Sequence, residues 1–503
     1  MESENQKKKS PEKQNPVTEK LNKLYEYFKP VKELSRNKQV IITAAFFSAI
    51  FLGICIYLIV FSFVNKSAFI DNSYNKQEKN LLQNTLRGEI VSSDGVCLAY
   101  SKLDESGNQV RVYPYADAFC HSVGYSALDK TGVESECNYY LLKSGSNPIE
   151  RAKIEESGLL PSGNTVNTTI NYNLQMTAHE ALGDNYGAVI VTEVKTGRIL
   201  VLLSHPTFDP NNIEENWENL VKDEKETALL NRSTAGLYPP GSVFKIFTAY
   251  EFRKEGGDID GYSFDCKGSY KYDDLKISCY HGESHGTVDF GLSFAKSCNS
   301  SFANIGMSLD EKSFEEGLNS LLFNEPLPQL FPTATVPESS YDISTDHKRM
   351  QTSIGQGDTL VSPYHINLLT MAIADGGTIM KPYTVESCVN SSGKVLEKSE
   401  PEVYRQLLDA DSSDFLRGLM EEVVEKGTAS SLKNDLYTVA GKTGSAEYNN
   451  RGDSHGWFTG YAPADDPEIA ITVIVEKGGT GSSSAVPLAK KVLDEYFASK
   501  GEN

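Results

Sequence analysis

A run of 25 uncharged and mostly apolar positions, Val40 to Val64, stands apart from everything else in the chain. At 1.5 Å per residue a helix of that length covers ~37 Å, enough to cross a ~30 Å hydrocarbon core with some tilt. A cleaved leader has a shorter apolar region and a small-x-small cleavage site, and neither fits here, so an uncleaved anchor is expected. Beyond it the pattern becomes short and mixed. Extended runs, Arg87 to Tyr100 and Gln109 to Tyr113, are broken by Asp94-Gly95 and Gly107-Asn108, which predicts the hairpins of a modest β-rich module. A linker at Pro161-Ser162-Gly163-Asn164 then divides the outer portion near residue 165. After it, Asn171 to Leu182 reads as an amphipathic helix. Two alternating strands follow, Gly187 to Val194 and Arg198 to Leu203, joined by a Lys195-Thr196-Gly197 turn. The strand signature returns at Tyr437 to Tyr448, Gly456 to Ala462 and Glu468 to Glu476, and a last helix runs over about Ala485 to Ser499. Helix, two strands, a long helical insert, three strands and helix predict an α+β domain, an antiparallel sheet with its terminal helices packed together on one face.

Four segments are therefore expected: a basic tail over 1–39, the span over 40–64, a β-rich module over 65–165 and a larger domain over 166–503. Charge sharpens this division. Residues 1–39 carry ten basic residues and six Glu, a net of +4, whereas the whole chain of 503 residues has a formal charge of −20. The basic flank belongs on the cytoplasmic side, which leaves the rest extracytoplasmic. So acidic a balance argues against a nucleic-acid-binding function, which needs Lys and Arg to neutralise phosphates. Outside the span lie Cys97, Cys120, Cys137, Cys266, Cys279, Cys298 and Cys388, an odd number, so at least one is free or pairs between chains. Cys266 and Cys279 could bridge a hairpin or remain reduced thiols; sequence leaves both open. No metal-ligand spacing is recognised: His281 and His285 are four apart but lie in a Gly-rich stretch without helical geometry. No metal and no cofactor are expected.

The candidate chemistry rests on context. Ser-x-x-Lys occurs seven times and Lys-Thr-Gly three times, so neither means anything alone. Only Ser242 follows a helix-stopping Pro239-Pro240-Gly241 and opens an apolar helical run. There the helix N-terminus favours negative charge on its oxygen. Lys245 falls one turn away on the same face, among apolar neighbours that ease loss of its proton. A capped helix with a snorkelling lysine is the bland alternative. Ser297-Cys298-Asn299 can present a hydroxyl and an amide from one turn, with Cys298 read as packing or as a redox-sensitive thiol. Lys442-Thr443-Gly444-Ser445 lies in a strand, where the glycine would admit a substrate backbone as an added strand and the lysine and hydroxyls would meet a carboxylate. The Lys130 and Lys195 copies read as turns.

These three motifs, in this order, resemble the penicillin-binding and serine β-lactamase group. More narrowly, the chain resembles class B penicillin-binding proteins, the monofunctional D,D-transpeptidases of peptidoglycan synthesis. The likeness extends through Arg87-Gly88-Glu89-Ile90, Arg111-Val112-Tyr113-Pro114, Gly124-Tyr125 and Gly132-Val133-Glu134 in the module. It continues through Tyr238-Pro239-Pro240-Gly241-Ser242, Gly355-Gln356-Gly357-Asp358 and His455-Gly456-Trp457-Phe458 in the larger domain. Ser445 stands where Thr is commoner.

The resemblance implies a D,D-peptidase/β-lactamase-like fold on a pedestal. It also implies a serine acyl-enzyme formed on peptidoglycan stem peptides, covalent inhibition by β-lactams, and roles in the cell wall, cell shape or cell division. Ser242 would be the nucleophile, Lys245 the base, Ser297 a proton relay and Asn299 an orienting amide. Lys442, Thr443, Gly444 and Ser445 would form the substrate strand, and a SEDS-family glycosyltransferase would be the membrane partner. A β-lactamase, a β-lactam sensor or a catalytically idle scaffold would share the motifs.

Overall fold

The computed structural model describes residues 36–64, 81–146, 148–448 and 453–501. Most of the expected basic tail and the polar stretch from Ser67 to Asn80 lie outside the described residues. Residues 1–75 and 76–503 form two separate units. In the first, Arg36–Val64 is one continuous helix, and the most apolar 18-residue stretch within Lys38–Phe61 has a mean hydropathy of 2.6. Its described large apolar side chains are exposed, as a lipid-facing helix requires.

In the second unit the central sheet has five strands in the order Ala440–Glu447, Ser454–Ala462, Ile469–Val475, Gly187–Glu193 and Ile199–His205. Every neighbouring pair is antiparallel. The first and last helices, Tyr172–Leu182 and Ala485–Gly501, pack on each other as expected. The strands were expected to alternate apolar with polar; instead 187–192 and 469–475 are buried throughout. The reason is a second helix layer. The fully buried helix Pro363–Ala374 covers the other face, where its Thr370 hydroxyl meets Thr459 and its Asn367 meets Thr192 and Thr472. A sheet covered on both faces reads as near-continuous burial rather than alternation.

The module before residue 165 is only partly β. Strands Ile90–Val91, Cys97–Leu103 and Gln109–Val112 form the expected hairpins, with Gly95 and Gly107 at positive φ in the turns. Four short helices fill 116–156. Its sheet crosses the expected boundary. Thr165–Thr168 lies parallel to 90–91 and antiparallel to Val385–Val389, which in turn pairs with Val395–Lys398. The motif residues of this module gather on one buried carboxylate. Glu134 is fully buried, with Arg87 at 2.6 Å and Arg111 at 2.7 Å, and accepts from the Tyr113 hydroxyl at 3.2 Å. Burial pushes the Glu134 carboxyl up, and the two guanidiniums outweigh it and hold it below its ordinary range.

Candidate active site

The chain reaches the site through a tight corner at Tyr238 to Gly241. Gly241 has φ +53°, its N–H donates to Gly355 O at 2.9 Å, and a Cβ on it would stand 2.6 Å from Ser445 O. Only glycine fits both the left-handed backbone and that approach. A 3₁₀ turn over Gly241–Phe244 then carries Ser242 and leads into the helix Lys245–Lys254. The corner is braced from the sheet. The Trp457 indole N–H donates to Pro239 O at 3.1 Å, and the Tyr238 hydroxyl donates to Glu476 at 2.8 Å, which also pairs with Arg232 at 2.7 Å. Segments far apart in sequence thus converge on the corner that presents Ser242.

Lys245 is wholly buried and its ammonium is the hub. Nζ lies 3.1 Å from Ser242 Oγ, 2.7 Å from Ser297 O, 3.2 Å from Ser297 Oγ and 2.7 Å from Asn299 Oδ1. Burial lowers its pKa to about 8, against an opposing pull from the neighbouring Cys298 and Cys279 sulfurs. Ser297 takes a left-handed φ of +57°, and Cys298 caps the following helix, Asn299–Ser308, by accepting from the Ser301 N–H at 3.4 Å. Lys442, also fully buried, donates to Ser297 Oγ at 3.1 Å and Thr443 O at 3.0 Å. Its pKa is pushed well down by burial and then by the Lys245 charge. Ser297 Oγ therefore sits between two ammonium groups, placed to exchange a proton with either. Among the described residues, no carboxylate hydrogen-bonds Ser242, Lys245, Ser297 or Lys442.

The strand Ala440–Glu447 is the sheet edge beside Ser242, in register with Lys442 opposite Thr459 and Gly444 opposite Trp457. Gly444 also has a role inside the fold. A Cβ there would meet Pro240 O, Trp457 Cβ and Val243 Cγ2, each at 3.0 Å. Its missing side chain makes room for the nucleophile corner of this chain, on the face of the strand. The Thr443 hydroxyl shares a hydrogen bond with Thr428 at 2.5 Å. Sequence reading missed Thr428, which no motif marks. A cleft of about 880 Å³ runs over these groups, lined by Ser242, Ser297, Asn299, Thr443, Ser445 and the segment 276–283.

The absence of a metal-ligand set needs correcting. The His281 and His285 pair does not form one, but His285 joins Cys266, Cys279 and Cys298, whose donor atoms all lie within 4.8 Å of one another. Cys266 and Cys279 are unbridged, with Sγ atoms 3.7 Å apart. Cys279 is the first of the coupled thiols to ionise, lowered by the Cys298 thiol donating to it, and Cys298 is raised in consequence. The four residues come from separate segments 13, 6 and 13 residues apart, a spacing that no short motif reveals.

Residues 187–494 match the model of the penicillin-binding protein transpeptidase domain. A peptidoglycan D,D-transpeptidase PbpA of Mycolicibacterium smegmatis is 30% identical over 81% of this chain and 88% of its own length. The peptidoglycan D,D-transpeptidase MrdA of Acinetobacter baumannii is 27% identical over 78% and 67% respectively. Among solved structures, the imipenem acyl-enzyme complex of penicillin-binding protein A from M. tuberculosis superposes with a TM-score of 0.74 at 27% identity. It covers 82% of this chain and 99% of that one.

Proposed function

The chain belongs to the penicillin-binding protein transpeptidase family, among its class B members, and from that premise we propose that it is a serine D,D-transpeptidase that cross-links peptidoglycan stem peptides and is acylated by β-lactams. The observation that carries the reading is the contact of a fully buried, readily deprotonated Lys245 with Ser242 Oγ, Ser297 Oγ and Asn299 Oδ1 at once.

In this reading Lys245 takes the Ser242 proton as Oγ attacks the carbonyl of the penultimate D-Ala. The tetrahedral oxyanion is held by the backbone N–H groups of Ser242 and Ser445; one such donor is worth about 2.7–4 kcal/mol. The C–N bond then breaks, and the leaving D-Ala amine takes a proton relayed through Ser297. Asn299 orients the donor amide and Lys245, and Lys442 with Thr443 holds the terminal carboxylate. An amine of a second stem attacks the ester and forms the cross-link, and Ser242 recovers its proton. Gly444 serves this arrangement by admitting the Pro240 to Val243 corner close to the strand.

The helix at 36–64 anchors the enzyme with its basic flank cytoplasmic and its catalytic domain outside. Residues 65–165 act as a pedestal whose sheet is completed by 385–398, and a SEDS-family glycosyltransferase is the membrane partner. The test is turnover of glycan strands bearing pentapeptide stems by the full chain in detergent. Expected are D-Ala release and cross-links in equal amounts, and neither with Ser242→Ala. Penicillin acylation without any D-Ala release would instead make the protein a sensor or idle scaffold.

A further inference from the structure

We propose that Cys266, Cys279, His285 and Cys298 form a Cys₃His site for Zn²⁺ that pins the Ser297-Cys298-Asn299 turn to the wall of the active-site cleft. The geometry comes first. A tetrahedral ion bound at ~2.3 Å to sulfur and ~2.05 Å to nitrogen sets S···S edges of ~3.8 Å and S···N edges of ~3.5 Å. Here Cys266 and Cys279 are 3.7 Å apart, Cys279 and Cys298 3.8 Å, and Cys266 Sγ and His285 Nδ1 3.4 Å. No donor pair exceeds 4.8 Å, so the remaining edges need shorten by at most about 1.3 Å. The three cysteines are buried, at 0%, 3% and 0% exposure, whereas His285 is only half-buried and leaves a way in.

Packing of three thiols does not account for the imidazole nitrogen turned toward Cys266. The Ser301 N–H points at Cys298 Sγ at 3.4 Å, and Ser300 Oγ lies 3.1 Å from Cys279 Sγ. Such contacts suit thiolates and orient metal ligands. A Cys266–Cys279 disulfide would use two of the four donors and strand the other two.

The elements that supply the ligands explain what the ion would do. Cys266 ends the strand Phe264–Cys266, and Cys279 follows the hairpin Ser269–Tyr272 and Leu275–Ser278. His285 precedes the return strand Gly286–Val288. The fourth ligand lies between the two residues that contact Lys245, and Asn299 Nδ2 already donates to Ser278 O at 3.2 Å. An ion here ties the hairpin to the turn and holds Ser297 in its left-handed conformation. Binding takes the three cysteines as thiolates, whatever thiol protons they still carry going to solvent, and neutral His285 through Nδ1, leaving one net negative charge near the two buried ammonium groups. Zn²⁺ is the ion this donor set favours, having no redox chemistry and accepting tetrahedral sulfur and nitrogen.

The experiment uses the full chain in detergent, kept under argon and free of metal-binding tags. Elemental mass spectrometry should find one zinc per chain, and Co²⁺ added to chelator-stripped protein should give the visible bands of a tetrahedral thiolate site, which Zn²⁺ abolishes. Cys279→Ser and His285→Ala should each weaken metal affinity at least about tenfold. Stripping should slow penicillin acylation by about tenfold or more and zinc should restore it, since small displacements of catalytic groups cost that much. Metal content and cobalt absorption are read without substrate, so they stand apart from the transpeptidase reading. If a cysteine variant fails to fold, the stripped and reloaded wild-type chain decides. Metal-free protein with no cobalt bands, or a Cys266–Cys279 disulfide under argon, would overturn the site. Full acylation by the stripped, folded chain would overturn the pinning role.

Discussion

The pH dependence of acylation follows directly from the burial of Lys245. An exposed lysine with its ordinary pKa near 10.4 is neutral in only about 0.04% of molecules at pH 7. With its pKa lowered to about 8, Lys245 is neutral in about one molecule in ten. The second-order rate constant for penicillin acylation reports groups of the free enzyme. It should therefore rise about tenfold from pH 7, bend near pH 8 and flatten by about pH 9. The sign follows from the role: the base must be neutral, so rate is gained as pH climbs through the folded-state pKa. Rapid-mixing measurements with a fluorescent penicillin give the profile, corrected for loss of the reagent at high pH. Lys245→Arg keeps the charge but cannot deprotonate, so it should be slow and should lack the bend near pH 8. A wild-type rate still climbing tenfold per pH unit beyond pH 9.5 would mean that burial does not lower this lysine. The same bend in the Arg variant would assign the titration to another group.

The remaining predictions concern the scaffold around that lysine. Gly241→Ala places a Cβ 2.6 Å from Ser445 O at φ +53°, so strain of about 1–2 kcal/mol plus the clash should slow acylation more than tenfold. Gly444→Ala, with contacts at 3.0 Å, should be milder, and equal rates for both variants would contradict the geometry. Glu134→Ala should cost about 3–5 kcal/mol by leaving Arg87 and Arg111 buried without their partner; calorimetry should show a lower unfolding midpoint while acylation per folded molecule is unchanged. Because its pKa is depressed, the stability that Glu134 contributes is present at neutral pH and is lost as pH falls through the carboxylate range. Replacing the 40–64 span with an unrelated one of equal hydrophobicity should leave acylation intact and reduce co-purification of the glycosyltransferase; undiminished recovery would make the span a plain tether.

The five central strands and both terminal helices were legible because each spans a full period of its own pattern. Turn signals such as Lys195-Thr196-Gly197 bound them. The covering by Pro363–Ala374 was not, since burial on both faces removes the alternation by which a strand is oriented. Nor could local pattern show that 385–398 completes the module's sheet, because pairing across some 220 residues leaves no local trace. At the site, the helix-opening position of Ser242 and the spacing of Lys245 were visible in order and composition. Thr428 was not, for a single threonine beside Thr443 carries no signal before folding. The glycine of the Lys-Thr-Gly strand was noticed, but its packing against the Pro240 to Val243 corner was not, because that corner lies some 200 residues earlier in the chain. The Cys₃His cluster was hidden by ligands drawn from four segments.

The central claim is that Ser242, activated by Lys245, is the residue that becomes acylated. Its most direct test is the intact mass of the full chain after exposure to penicillin, at early and late times, with the modified peptide then sequenced. One penicilloyl group per chain, located on Ser242, persisting for many minutes and absent from Ser242→Ala, is the predicted result. An adduct on any other residue, or the same adduct on the alanine variant, would contradict it, and rapid turnover of free penicillin would place the protein with the β-lactamases.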